Sequence, residues 1–269
     1  MVPVENVIAI TIVLITSVLL PVVGWLIVRR RFKVSLTNLL VGAAVFFVCY
    51  IIAAITSMIG PMLITSPIVL TLVFSLRAGL VEEFGRYVAF KWLLKRSKTV
   101  GDAIMYGVGH GGMEVLLVLT LAMINNLIFV VMANLGALDT LIALAPEQSQ
   151  SILSAVRILA ETHPLLFAAG LFERIVAMIL HISLSVIVFC AVRQKKPIYL
   201  LLAIGLHTLL NSCIVLYVLG MVDVWGLEAV LAVVVAAVVL IARQIARGYR
   251  PPFDPVETSP ASPPGKGVH

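Results

Sequence analysis

Eight side chains in this sequence are of types that do chemistry, and all lie inside apolar runs: Glu82, Glu83, Arg86, His110, Glu114, His181, His207 and Asn211. Glutamate and histidine accept and return protons near neutral pH. Three imidazoles with a carboxylate are also the ligand chemistry of Zn²⁺, which lowers the pKa of a bound water. Their spacing is helical. Glu82 and Arg86, His110 and Glu114, and His207 and Asn211 are each four apart, so each pair shares one helix face. Arg174 and His181, seven apart, share another face.

The elements that must position these groups follow from composition. The 269 residues are 61% hydrophobic and 12% charged, about half the charge of an ordinary globular chain. Mean hydropathy is +1.13. These values exclude a soluble enzyme, a disordered chain and a secreted disulfide scaffold. Continuous apolar runs, rather than alternation at period two, argue against an outer-membrane barrel. The expected fold is all-α, a polytopic transmembrane bundle of about seven spans at 6–28, 35–59, 67–94, 101–124, 165–192, 197–219 and 223–245. Residues 1–250 form the membrane domain. Residues 251–269, rich in Pro and Ser, are expected to be a disordered cytoplasmic tail.

Basic residues set the orientation. They follow the first span (Arg29, Arg30, Arg31, Lys33), the third (Lys91, Lys95, Arg96, Lys98), the fifth (Arg193, Lys195, Lys196) and the seventh (Arg243, Arg247, Arg250). The positive-inside rule then places the N-terminus outside and the C-terminus inside, in a multi-pass protein of the cell membrane. The net charge of +6 marks a cytoplasmic face, not a nucleic-acid surface. The first apolar run has its basic cluster behind it, unlike a cleavable signal. Residues 101–136 exceed one upright span, so Asn125 and Asn126 mark the outer interface, and 147–161 form a short amphipathic surface helix. Cys49, Cys190 and Cys213 lie in apolar runs without metal or disulfide spacing.

Charges in a membrane interior are costly and mark function by default. Counted inward from the cytoplasmic ends, the eight side chains fall at about 12–21 Å depth on four helices. Spans one, two and seven hold almost no such groups and read as lipid-facing scaffold. Arg77 and Glu173 lie higher, at about 27–30 Å, where they are placed to pair with each other. Four carboxylates then face three arginines, leaving one for a proton, a metal or a protonated histidine. Gly107, Gly109, Gly111 and Gly112 around His110 either pack that helix closely or loosen it. Known intramembrane protease motifs are missing: there is no HExxH, no pair of central membrane Asp residues and no membrane GxSG.

Glu82-Glu83-Phe84-Gly85-Arg86, Gly109-His110-Gly111-Gly112-Met113-Glu114, Phe172-Glu173-Arg174 through His181, and His207 to Asn211 together resemble the YhfC family. That family is classed as intramembrane metalloproteases. It is similar to the wider group of CAAX prenyl endopeptidases, Abi proteins, PrsW and the Aph scaffold subunit. The resemblance covers roughly residues 5–250. It implies an intramembrane endopeptidase, with a membrane protein or lipidated peptide as substrate. Glu82, Glu83 and Arg86 match the wider group's Glu-Glu and Arg, with two residues before the Arg instead of three. Either glutamate is then the base. His110 matches its second motif, and His207 and Asn211 match its His-x-x-x-Asn.

The expected chemistry is water activated by Glu82 or Glu83 with His110, an oxyanion stabilised by His207 and Asn211, and carboxylates oriented by Arg86. A zinc version uses His110, His181, His207 and one glutamate, Glu114 among the candidates. Two rival readings use the same residues: a proton-coupled transporter, which more often shows a repeat between halves, and an inert scaffold, which needs no acid pair.

Overall fold

The computed structural model describes residues 1–250, so the expected tail lies outside the described residues. The fold is all-α, with no strand among the described residues. Its helices are α1 (Val4–Phe32), α2 (Leu36–Leu63), α3 (Pro67–Val88), α4 (Val100–Glu114), α5 (Leu121–Asn134), α6 (Leu138–Leu144), α7 (Ser149–Glu161), α8 (Pro164–Arg193), α9 (Ile198–Ser212), α10 (Ile214–Val218) and α11 (Val224–Arg247). Six helical segments are long and apolar enough to cross a membrane. The third expected span, α3 and its continuation to Leu93, has the length but carries Arg77, Glu82, Glu83 and Arg86. The protein is a multi-pass membrane protein.

Helix ends are written into the sequence. Thr99 and Asp102 form a reciprocal capping box on α4. Ser35, Ser66 and Asp223 cap α2, α3 and α11 through their side chains. Pro164 opens α8 at a position that needs no N–H, and exposed His163 caps it by accepting from Leu165 N. Asp102 does more than cap: it accepts from Asn38 Nδ2 at 2.8 Å, which ties α2 to the start of α4.

The bundle is arranged around α8. Its most apolar stretch is 72% buried, against 28% or less in the other five apolar segments. It packs against α4, α11, α1, α9 and α3, while α2 covers α4 and α3 lies between α2 and α9. The expected division into three scaffold and four interior spans is therefore too simple. α9 carries site residues yet is as open as α1 and α2, and α11 buries Glu228.

The glycines of α4 pack; they do not loosen. A Cβ on Gly107 would lie 2.5 Å from Ile182 Cα of α8, one on Gly109 would lie 2.0 Å from Leu39 O of α2, and one on Gly112 would lie 2.7 Å from Pro21 Cβ of α1. Gly42 of α2 reciprocates, with a Cβ 2.2 Å from Tyr106 O. Helix backbones touch on three sides of α4, as small residues allow in membranes. Gly109→Ala is expected to force α2 and α4 apart and cost about 1–3 kcal/mol. Unfolding in mixed detergent measures it, and a wild-type midpoint would show that the contact is dispensable.

Two helices change period beside the polar cluster. Three residues after Arg86, Ala89–Leu93 forms a π-helical turn, and Val115–Thr120 forms another directly after Glu114. The second keeps 100–134 continuous, with Thr120 fastened to Ser17 of α1 at 2.9 Å. Such insertions re-aim side chains and often occur at functional sites. Asn125, expected at the outer interface, is exposed, and the amphipathic segment forms α7.

Candidate functional site

The four polar helices converge. Glu82, Glu83 and Arg86 come from α3, His110 and Glu114 from α4, His181 and Arg174 from α8, and His207 and Asn211 from α9. The ring centroids of His110 and His181 are 4.9 Å apart, and those of His181 and His207 are 5.4 Å apart. A cavity of about 200 Å³ lies among them, lined by Glu82, Glu114, His181, His207 and Asn211 and extending to Glu173.

The two adjacent glutamates occupy different environments. Glu83 is fully buried and receives Arg86 Nη1 on both oxygens at 2.7 Å. His207 Nδ1 lies 2.8 Å from Glu83 Oε1. An arginine-paired carboxylate is an acceptor, so His207 carries a proton on Nδ1, and its neutral form keeps the lone pair on Nε2. Glu82 points the other way, with Oε2 at 3.1 Å from His110 Nε2 and 3.9 Å from His181 Nδ1. Its side chain keeps 15% exposure on the cavity wall, and no guanidinium reaches it among the described ion pairs.

His181 is locked from both sides. Arg86 Nη2 donates to its Nδ1 at 3.0 Å, because a guanidinium can only donate. The His181 proton is then on Nε2, which faces Glu114 Oε2 at 2.6 Å. Glu114 Oε1 in turn receives Arg174 Nη1 at 2.6 Å. Arg86 thus links Glu83, His207 and His181, while Arg174 steadies Glu114 behind His181. His110, fully buried, is held edge-on by Phe46 at 5.1 Å and face-on by Tyr106 at 6.0 Å between ring centroids.

The expected pairing of Arg77 with Glu173 does not form. Arg77 donates to Ala53 O, Thr56 Oγ1 and Ser57 Oγ of α2, and Glu173 pairs with Arg174. Carbonyls and hydroxyls of a touching helix satisfy a guanidinium without a second charge. Arg174 is consequently shared between Glu114 and Glu173, and of the four glutamates weighed from the sequence Glu82 is the one left over.

The closest set of potential metal donors is Glu82, His181 and His207, with one ligand atom from each lying within 4.8 Å of the others. The expected set differed: His110 is turned onto Glu82, and Glu114 is taken by Arg174 and His181. Zinc bonds of about 2.1 Å in a tetrahedron put donors roughly 3.4 Å apart, a modest contraction from this spacing. His207 also has the carboxylate behind its second nitrogen that metal-binding histidines usually have. His207 and Glu82 offer donor atoms to such an ion, whereas His181 would join them only by giving up its contact with Arg86 or with Glu114.

Two residues important to the site were not singled out from the sequence as members of it. Arg174 was noted for sharing a face with His181, as part of Phe172-Glu173-Arg174 and in the charge balance, but its role as the partner of Glu114 depends on the packing of α8 against α4. Glu228 of α11, 4% exposed, lies near Glu173 and Arg174. A lone acid in the second turn of an apolar span was its only signal.

A profile of the YhfC intramembrane metalloprotease family matches residues 16–235. The chain is also similar to a Bacillus subtilis (strain 168) protein described as uncharacterized membrane protein YhfC. The two are 29% identical over 217 residues, covering 78% of this chain and 84% of that protein. The matched region contains every residue of the cluster, and by the extent of the match this chain belongs to the YhfC intramembrane metalloprotease family.

Proposed function

We propose that this chain is an intramembrane endopeptidase that cleaves a membrane protein or lipidated peptide, with Glu82 as proton acceptor from the attacking water. The observation that carries this reading is the asymmetry of the glutamate pair. Glu83 is neutralised by Arg86, whereas Glu82 has no guanidinium partner among the described residues, faces the cavity and is bordered by imidazoles. A carboxylate left unpaired in a low-dielectric site is a stronger base than a salt-bridged one.

The other residues have supporting parts. His110 holds Glu82 Oε2, so the second oxygen is the one presented to water. The amide of Asn211, on the cavity wall one turn after His207, is placed to donate to an oxygen that gains negative charge as the carbonyl is attacked. The proton taken by Glu82 is returned to the departing amine, as reversibility requires of a group acting first as base. Arg86 keeps Glu83 and His181 in register throughout. A zinc ion would be held by His207 and by His181 once it gives up Arg86 or Glu114, would polarise the carbonyl and acidify the water, and would leave Glu82 free as the base.

Purified protein tests this directly, by assaying cleavage of membrane-segment peptides in detergent or proteoliposomes for wild type and Glu82→Gln. Cleavage by wild type alone supports the reading; equal cleavage by both ends it. Proton flux in liposomes without cleavage favours a transporter. The metal has its own readout. About one zinc per chain is expected by elemental analysis, falling well below half in His207→Ala. Full zinc in that variant would place the ion elsewhere.

A further inference from the structure

The cavity does not stop at the histidines. Its lining follows α8 from His181 back to Glu173, then takes in Ile214 of α10 and Leu227 and Leu231 in the first three turns of α11. From Glu173 onward the lining lies toward one end of the bundle, where α8 and α11 begin. The basic 95–98 and 193–196 connections are at the other end. Exposure rises along the same path: the side chain of His181 is 3% exposed, Glu114 14% and Glu173 42%. The opening is therefore beside Glu173.

Charge along this path is unbalanced. Glu82, Glu114 and Glu173 line the cavity with Arg174 as the single guanidinium among the lining residues. Arg174 already donates to both Glu114 and Glu173. Behind the lining, Glu228 is 4% exposed, and its Oε2 has no hydrogen-bond partner among the described residues. It lies near enough to the Glu173–Arg174 pair on α8 to feel both charges. An unsatisfied buried carboxylate is costly, and it is relieved either by a proton or by a positively charged group brought to the mouth.

We propose that the cavity is entered between α8, α10 and α11, at the end of the bundle away from the basic connections, and that Glu173 and Glu228 make this mouth select a cationic group. Low-dielectric walls focus the field of like charges and concentrate counter-ions at such an opening. If the chain is a peptidase, its substrate carries a lysine, an arginine or a free amino terminus on the stretch that fills the mouth. That last step rests on the proposed function; the position and charge preference of the mouth do not.

Thiol labelling tests the mouth without a substrate. Ile214, 41% exposed on the cavity wall, is replaced by cysteine in a Cys213→Ala background, where the remaining thiols, Cys49 and Cys190, are buried. Two membrane-impermeant ethyl methanethiosulfonates are compared, one with a trimethylammonium group and one with a sulfonate. Each rate is divided by the rate at a control Ser151→Cys on exposed α7. The normalised cation-to-anion ratio at 214 is expected to be about tenfold or more. With Glu173→Gln and Glu228→Gln it is expected to fall to about one. Labelling is expected in intact cells, and in inverted vesicles only after they are permeabilised.

A ratio near one with both glutamates in place overturns the charge preference, and no labelling at 214 from outside overturns the position of the mouth. The first comparison needs neither glutamate substitution, so a misfolded double variant cannot mask it. If cleavage is found, peptides with lysine at this stretch are expected to have kcat/KM at least tenfold above glutamine counterparts. If no cleavage is found, the labelling result stands on its own.

Discussion

Glu82→Gln is expected to lower peptide cleavage by about 10²–10⁴-fold while leaving the protein folded, and Glu83→Gln is expected to act first on stability. The amide at 82 keeps the shape of the side chain and a partner for His110 Nε2, 3.1 Å away. It loses only the capacity to take a proton. Because no arginine is paired with Glu82, its neutralisation strands no opposite charge, so the unfolding midpoint should hold or rise.

Glu83 lacks that freedom. Both its oxygens receive Arg86 Nη1 and one also receives His207, all in full burial. Glu83→Gln leaves Arg86 charged, buried and half-satisfied, so stability should fall first and activity with it. Cleavage and detergent-unfolding measurements on both variants decide the assignment. An active Glu82→Gln protein, or an unstable Glu82→Gln beside a stable Glu83→Gln, would reverse the roles of the two acids.

Arg86→Met should have the largest effect on stability. Its side chain is fully buried and joins three groups from three helices: Glu83 on α3, His181 on α8 and, through Glu83, His207 on α9. Removing one member of a buried ion pair typically costs about 3–5 kcal/mol, because the remaining charge is left without compensation. Restoring neutrality should recover much of this, so Glu83→Gln with Arg86→Met should be more stable than Arg86→Met alone. A double-mutant cycle in unfolding free energy measures the coupling. Simple additivity of the two substitutions would mean that Glu83 and Arg86 do not act as a unit.

Much of the site was legible because membranes make polar residues conspicuous. Each charge in an apolar run costs enough to require a reason, so Glu82, Glu83, Arg86, His110, Glu114, His181, His207 and Asn211 stood out by type alone. Helical rise placed them at one depth, and spacing of four placed each pair on one face. The structure brings all four helices to that level around one cavity. Glu228 escaped notice because a single acid near a helix end is also what a surface cap looks like. Its burial appears only when α11 lies against α8.

Partner choice was not legible, and the arginines show why. Sequence arithmetic matched Arg77 to Glu173 by depth, but depth is one coordinate of three. The rotation of α3 turns Arg77 onto α2, where Ala53 O and two hydroxyls receive it. The division of labour between Glu82 and Glu83 was equally hidden, since adjacent residues on a helix differ by about 100° in direction. That angle sends Glu83 to Arg86 and Glu82 to the cavity.

Residue chemistry, helix length, end signals and depth are properties of a chain read along its axis, and the sequence alone determined them here. Which glutamate is neutralised, which histidines stand close enough to share an ion and where the cavity opens depend on how helices rotate and touch. The glycine contacts of α4 with α1, α2 and α8 set those rotations, and only the packed bundle decides them.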